Sequence, residues 1–129
     1  ATGTATTNIG STYVDLNGMS VTWTAVQNRR YRVSAQVNIL APSTGTDCNV
    51  FARIVDTTPT QMAESVQTAA LVLSYSELQV VELLSYTSAS ASVTRKIQAK
   101  VSASSNNSLV TTNPPLIYVE DIGPAGAPS

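Results

Sequence analysis

The sequence predicts an all-β fold, an antiparallel β-sandwich, from three observations. The first is composition, because Thr and Val favour strands and are abundant, whereas Lys, Glu and Leu, the usual builders of helical surfaces, are scarce. The second is a series of short runs in which apolar and polar residues alternate. The third is a spacing of roughly ten residues between turn signals, typical of an antiparallel sandwich or barrel. A chain of 129 residues has room for one such domain.

The domain is expected to span residues 12–124, between an N-terminal arm and a C-terminal tail. The arm, residues 1–11, is rich in Thr, Ala and Gly and has too little apolar material to anchor a core strand. The tail is residues 125–129. Neither segment can offset its ordering entropy by burying itself, so we expect both to be disordered or extended in the free protein and ordered on a partner.

The first half of the chain contains four predicted strands. Tyr13–Leu16 and Met19–Thr24 are expected to pair, or to kink, around Asn17-Gly18, a dipeptide that adopts positive φ at tight turns. Arg30–Leu40 alternates most clearly, which predicts one buried face and one wet face. Cys48–Asp56 has apolar residues on both faces, so we expect a strand covered on both sides.

The segment Gln61–Ala70 is ambiguous. Met62, Val66 and Ala70 have helical spacing, but the same residues suit a strand. We favour a strand because the neighbouring segments are strands and an isolated ten-residue helix is marginal.

The second half continues as strands, with a loop over residues 87–92. The predicted runs are Leu71–Tyr75, Glu77–Tyr86, Val93–Ala103, Leu109–Thr112 and Leu116–Ile122. In Glu77–Tyr86 the alternation separates Leu78, Val80, Glu82 and Leu84 from Gln79, Val81 and Leu83. Arg95 falls on the apolar face of its strand, where a charge is expected to pair or to reach the surface.

Catalytic candidates are few, and we expect no enzyme and no catalytic, cofactor-binding or metal-ligating residues. The absence of histidine removes the commonest general base and the commonest metal ligand. Cys48 is alone, so it cannot form an internal disulfide, and it is expected to act as a small hydrophobic residue. Glu120 and Asp121 are adjacent in a strand and point to opposite faces, so they cannot act on one atom. Asp47 is a single loop carboxylate, too weak a signal for calcium.

The charge pattern excludes several partners. Only 12% of residues are charged, and the net charge is -1, so electrostatic attraction to nucleic acid or to an anionic membrane is not expected. No apolar run is long enough to span a membrane. The one basic cluster, Arg29, Arg30 and Arg32, is expected to pair with carboxylates of a neighbouring strand or subunit, with Glu120 and Asp121 as partners. Alternation puts Arg30 and Arg32 on the same face.

Two motifs carry a resemblance to a known family. Arg29, Tyr31 and Val33 form an R-x-Y-x-V pattern near the start of the domain, and Val119–Pro124, VEDIGP, closes it. From about Tyr13 to Pro124 the chain resembles the small β-sandwich virion proteins of tailed phages that infect actinobacteria. The resemblance implies a jelly-roll-like fold, a tendency to form trimers, and no catalytic residues. Members occur as free-standing capsid proteins or at the ends of minor tail and fibre proteins.

A ten-residue arm is short for a tail adhesin, so we expect a capsid decoration protein made in the host bacterial cytoplasm and located on the capsid surface of the virion. Its partner is then the major capsid protein. A homotrimer is expected from the resemblance and from strands that are apolar on both faces. The alternative is a minor tail, fibre or receptor-binding module bound to tail proteins. A carbohydrate-binding sandwich is a third interpretation, with Tyr13 and Trp23 as its plausible wet aromatic residues.

Overall fold

The computed structural model describes residues 12–40, 48–70, 75–101, 109–110 and 116–124. Within these residues the chain forms eight β-strands and no helix, which confirms the all-β fold class. The strands are β1 (Val14–Ala25), β2 (Arg29–Leu40), β3 (Cys48–Val55), β4 (Gln61–Ala70), β5 (Tyr75–Tyr86), β6 (Ala91–Val101), β7 (Leu109–Val110) and β8 (Leu116–Pro124). The ambiguous segment Gln61–Ala70 is therefore a strand.

The described strands form two antiparallel sheets that pack against each other. The first, here the β1 sheet, has the order β1-β6-β3-β4. The second, here the β2 sheet, has β2 at its centre, with β5 along one edge and with β8 and β7 along the other. The central strand β2 is thus paired on both sides over most of its length.

The core lies between the sheets and is built from the alternating residues of both. The two strands with the clearest alternation, β2 and β6, contribute as predicted, with Val33 and Ile97 fully buried. The core residues are Leu16, Met19, Val33, Ala35, Val37, Val50, Ala52, Ile54, Leu78, Val80, Ile97, Ala99 and Ile117. Truncating one of the larger members to Ala costs about 2–5 kcal/mol, because a cavity is added to the lost transfer energy.

Asn17-Gly18 produces a kink in one continuous strand rather than a hairpin. Gly18 has a φ of 71°, and the pairing of β1 with β6 shifts in register between Asp15 and Ser20. The extra residues of this bulge allow Leu16 and Met19, three positions apart, both to face the core. A regular strand would point them to opposite faces.

The strand β3 is fully covered on its core face and half-covered on its outer face, where Phe51 and Arg53 lie. Alternation placed Val55 with these outer residues, but Val55 is fully buried. No residue is inserted in β3 at this point: its pairing with β6 stays regular, and the register shift in its pairing with β4 places the extra residue, Met62, on β4. Val55 is therefore buried although it keeps its place in the alternation.

Some expectations lie outside the described residues. These are the arm at 1–11, the tail at 125–129, the Asp47 loop, residues 71–74, 102–108 and 111–115, and the side chain of Cys48. In the part of the chain that is described, no helix is long and apolar enough to cross a bilayer.

Candidate interaction surfaces

Two of the three clustered arginines pair with the two adjacent acids of the closing strand. Arg32 on β2 contacts Glu120 on β8 at 3.1 Å, and Arg29 contacts Asp121 at 2.8 Å. Both pairs are exposed, with each side chain about 40% accessible. The predicted contact between the arginine cluster and the two acids is therefore confirmed. Because exposed pairs contribute little to stability, removing one partner should not produce the large loss expected of a buried pair.

Glu120 and Asp121 find their partners on opposite faces of the sheet because neighbouring strand residues alternate, and a bulge in β8 follows them. Tyr31 is opposite Asp121, but Arg30 is opposite Gly123, so Ile122 is the extra residue. Gly123 has a φ of 118°, which favours glycine, and its N–H donates to the Asp121 carboxylate. The hydrogen bonds from Arg29 and from this N–H lower the pKa of Asp121.

Arg30, the third arginine, has no ion pair within the part of the chain that the structure describes. Arg30 and Arg32 lie on the same face, as alternation predicted, but Glu120 contacts Arg32 and Asp121 contacts Arg29. Arg30 is exposed on the outer face of the β2 sheet. Its guanidinium is available to a group from outside the domain.

A buried ion pair connects the two sheets. Arg95 of β6 donates to Glu82 of β5 through Nε at 2.9 Å and through Nη2 at 3.1 Å, and both side chains are less than 10% exposed. The same guanidinium donates to the carbonyl oxygen of Thr94. The expectation that Arg95 would find a partner is thus confirmed, and the two-point geometry holds β5 and β6 in one relative position.

The outer face of the β1 sheet is covered by side chains that bind one another; we call it the networked face. Arg53 lies at its centre and donates to Gln98 Oε1 from Nε at 2.9 Å and from Nη2 at 2.7 Å. Gln98 donates in turn to Asp15, which also accepts from Lys96 at 2.9 Å. These hydrogen bonds lower the pKa of Asp15, with that from Gln98 the largest cause. The network leaves few polar groups for an external partner.

Tyr13 closes the same network from above. Its ring lies over the Arg53 guanidinium at 3.8 Å and near Lys100 Nζ at 4.6 Å, and its hydroxyl donates to Glu64. Lys100 also approaches the ring of Phe51 at 4.8 Å. Burial and the bond to Glu64 raise the pKa of the Tyr13 hydroxyl, so it stays protonated at neutral pH.

The outer face of the β2 sheet, which we call the open face, is different in character. Strand register divides it into rows that run across β5 and β2 and, in the middle, β8, and five of these rows have described side chains. The rows are Ser85-Arg30, Leu83-Arg32-Glu120, Val81-Ser34-Tyr118, Gln79-Gln36-Leu116 and Glu77-Asn38. Leu83, Val81 and Tyr118 are exposed by 71%, 50% and 46%. Large apolar side chains grouped in this way on a small soluble domain mark an interaction site.

The middle of the open face contains a groove of about 250 Å³. Its walls are Val81 and Tyr118, and its floor is the small Ser34 on β2. Gln36 and Gln79 line the next row, where Gln36 donates to Glu77 at 2.6 Å. The groove has a mixed apolar and amide lining.

The aromatic residues considered for a carbohydrate platform are used inside the domain. Trp23 packs on Tyr31 with ring centroids 5.7 Å apart and lies against the core, and Tyr13 covers Arg53. Tyr118, which sequence analysis did not single out, is an aromatic residue of the open face. Its alternation with the buried Ile117 was the available signal.

The described residues contain no group of three His, Cys, Asp or Glu side chains that could hold a metal ion. Asp56, which follows β3, accepts hydrogen bonds from the side chain and N–H of Thr58 and from the N–H of Thr60, and these lower its pKa to about 2. This carboxylate therefore organises the turn between β3 and β4.

No family model and no curated protein matches the chain. Among solved structures it is similar to a family 16 carbohydrate-binding module, at 18% identity, over 87% of this chain and 72% of that one, with a TM-score of 0.38. It is similar to the CBM22-1-GH10 modules of Clostridium thermocellum endo-1,4-beta-D-xylanase 10B complexed with xylohexaose, at 12% identity over 98% of this chain, with a TM-score of 0.39; the chain spans 25% of that structure. A CBM4 structure has 12% identity over 84% of this chain and 69% of that one, with a TM-score of 0.38. Likenesses of this strength do not indicate what the chain binds.

Proposed function

We propose that this chain is a non-catalytic virion protein of a tailed phage: a small decoration protein that binds the capsid surface as an oligomer, with the major capsid protein as its partner. The observation that carries the proposal is the pairing of the two motifs on which the resemblance depends. Arg29, Tyr31 and Val33 lie on β2, and Val119–Pro124 lie on β8, the strand hydrogen-bonded to β2. Residues that are far apart in the chain thus lie side by side on neighbouring strands. This supports the interpretation that the two motifs belong to one family pattern.

The contacts inside this unit add to the support. Arg29 of the first motif holds Asp121 of the second by two hydrogen bonds at 3.0 and 2.8 Å. The left-handed Gly123 keeps the Asp121 carboxylate in place. The residues that define the resemblance therefore hold β8 against β2 in the β2 sheet. This structural role accounts for them without a ligand.

The surfaces of the domain suit assembly better than catalysis. On the networked face the charged side chains are engaged with one another, as described for Arg53, Asp15 and Lys96. The open face instead exposes three large apolar side chains. A surface with low charge and an exposed apolar patch is suited to protein partners, and a decoration protein works through such contacts.

The proposal is tested by separating the heads and tails of phage particles that carry this protein and by measuring its copy number in each fraction. We expect many copies on heads, and we expect purified protein to rebind heads that lack it. Deletion of residues 1–9 should leave thermal unfolding unchanged and weaken head binding. The matched control replaces those nine residues with a Gly/Ser segment of equal length.

Recovery in the tail fraction alone would favour the minor tail, fibre or receptor-binding alternative. Recovery in neither fraction would overturn the proposal of a virion protein.

A further inference from the structure

We infer that the open face binds the open face of a second copy of this chain, about a two-fold axis that crosses the strands at the Val81-Ser34-Tyr118 row. This inference rests on the proposed role in assembly and names the partner of that surface, and it replaces the homotrimer that the resemblance implies with a two-fold pair. It follows from three features of the rows: where the apolar residues stand, where the charges stand, and where the groove lies.

The apolar residues stand at the centre of the face. Val81 and Tyr118 flank Ser34 in the middle row, and Leu83 occupies the adjacent row. These exposed side chains are separated from the core by the sheet itself, since their neighbours Val80, Glu82 and Ile117 are buried on the other side. A two-fold axis in the middle row places Val81 and Tyr118 of one copy against the same residues of the other, as an isologous contact requires.

Apart from the Arg32–Glu120 ion pair in the second row, the charges stand at opposite ends of the five described rows. Arg30 lies in the first row without a described ion-pair partner, and Glu77 lies in the fifth row. Each is four residues along its strand from the middle row, about 13 Å. Rotation about the middle row therefore carries Arg30 of one copy over the Glu77 row of the other, and the reverse contact forms at the same time. A face with one basic end and one acidic end is complementary to itself in this antiparallel arrangement.

The groove lies in the middle row, so the two-fold axis places it against the same groove of the partner. The same rotation carries the second row over the fourth, so Leu83 of one copy lies above Gln79 of the other. Gln79 lines the groove together with Val81. The most exposed apolar side chain, Leu83 at 71%, is thus covered at the edge of the partner's groove. The partner's Gln79 contributes its methylene groups to this contact, and its amide reaches the rim.

The first test compares two valines on the two outer faces. Val81 is 50% exposed on the open face, and Val66 is 42% exposed on β4 of the other sheet, opposite Phe51. We expect the unmodified protein to have twice the 13.5 kDa mass of the chain by light scattering at tens of micromolar concentration. Val81→Asp should reduce the mass to that of the monomer, and Val66→Asp should leave it doubled. A monomeric unmodified protein, a trimeric mass, or equal effects of the two substitutions would overturn the inference.

The second test uses the charges at the ends of the face. Arg30→Glu and Glu77→Arg, each made alone, put like charges together at both ends of the contact, and each should weaken dimerisation about tenfold or more. The combined variant restores opposite charges across the two-fold axis, so its dissociation constant should return to that of the unmodified protein. Additive weakening in the combined variant would show that these residues do not meet.

The outcomes separate this inference from the proposed function. A protein that dimerises as expected but is found in neither heads nor tails keeps the two-fold contact and loses the virion role. A protein that binds heads while Val81→Asp changes neither its mass nor its binding keeps the virion role and loses the two-fold contact.

Discussion

The two outer faces of this sandwich are made from strands of similar length, yet their exposed side chains are arranged differently. On the networked face each long polar side chain contacts another, and the cations lie over aromatic rings. On the open face the polar contacts are separate pairs, such as Arg32 with Glu120 along one row and Gln36 with Glu77 between two rows, and Leu83, Val81 and Tyr118 project into solvent. The difference shows that low overall charge does not produce a uniformly neutral surface. The hydrogen-bonded polar groups are concentrated on the networked face, and the open face is left available for a partner.

The buried Arg95–Glu82 pair fixes the two sheets to each other, and removing one of its members should have the largest effect on stability. Glu82→Ala leaves the Arg95 guanidinium without its carboxylate inside the sandwich, which should cost about 3–5 kcal/mol of unfolding free energy. The measurement is urea-induced unfolding in dilute solution. Glu120→Ala, which removes the carboxylate of an exposed pair, is the control and should cost less than about 1 kcal/mol.

A double variant sharpens this result. Replacing both members by apolar residues, Arg95→Met with Glu82→Leu, removes the stranded charge and should recover most of the loss. Equal costs for Glu82→Ala and Glu120→Ala would show that burial of the Arg95 pair does not matter to stability.

The next effect compares one arginine from each face. Arg53→Ala removes two hydrogen bonds to Gln98 and the stacking on Tyr13, and we expect a loss of about 1–3 kcal/mol. Arg30→Ala removes no described contact and should change the unfolding free energy by no more than about 0.5 kcal/mol. Arg53→Lys should fall between them, since Lys keeps a charge under the ring but lacks the planar two-point donor. A loss of equal size for Arg53→Ala and Arg30→Ala would contradict the distinction between the faces.

The smallest effect appears on acidification. The folded-state pKa values of Asp15 on the networked face and of Asp56 in the β3–β4 turn lie below their usual values. A depressed pKa stabilises the fold above the unfolded-state pKa of about 4, and this contribution is lost as pH falls through the folded-state value, about 2 for Asp56. Unfolding free energy should therefore fall from about pH 4 downward. It should be nearly flat between about pH 5.5 and 7.5, since the chain has no histidine.

The contribution of each carboxylate is measured by substitution. Asp15→Asn and Asp56→Asn should each reduce the difference in urea midpoint between pH 5 and pH 2.5. A variant with an unchanged difference would show that its carboxylate does not take part in the acid response.

Alternation within single strands was sufficient to predict much of the fold. It identified β2 and β6 as core strands, and it separated Val81 and Leu83 from Leu78 and Val80 in β5. It did not show which of those two sets would be exposed, because this depends on where the second sheet lies. The alternation signal also fails at bulges, as at Gly18 and at Ile122, because an inserted residue reverses the face without changing the local composition.

The interaction surfaces were predictable only in part. The scarcity of charge was enough to match the arginine cluster with Glu120 and Asp121, since few partners were available. The pairing of Arg95 with Glu82 could not be read in the same way, because it crosses from one sheet to the other. The rows of the open face likewise depend on the register of three strands, and register is a property of the assembled sheet.

The position of β8 has a consequence for synthesis. β8 lies directly beside β2, although every other described strand precedes it in the chain. While the ribosome is making the intervening residues, the edge of β2 from Arg29 to Gln36 has no hydrogen-bonding neighbour on that side. An incomplete chain therefore presents an unsatisfied strand edge next to its apolar core, and such edges recruit other chains. Correct folding of the domain therefore depends on Leu116–Pro124 pairing with that edge before another nascent chain does.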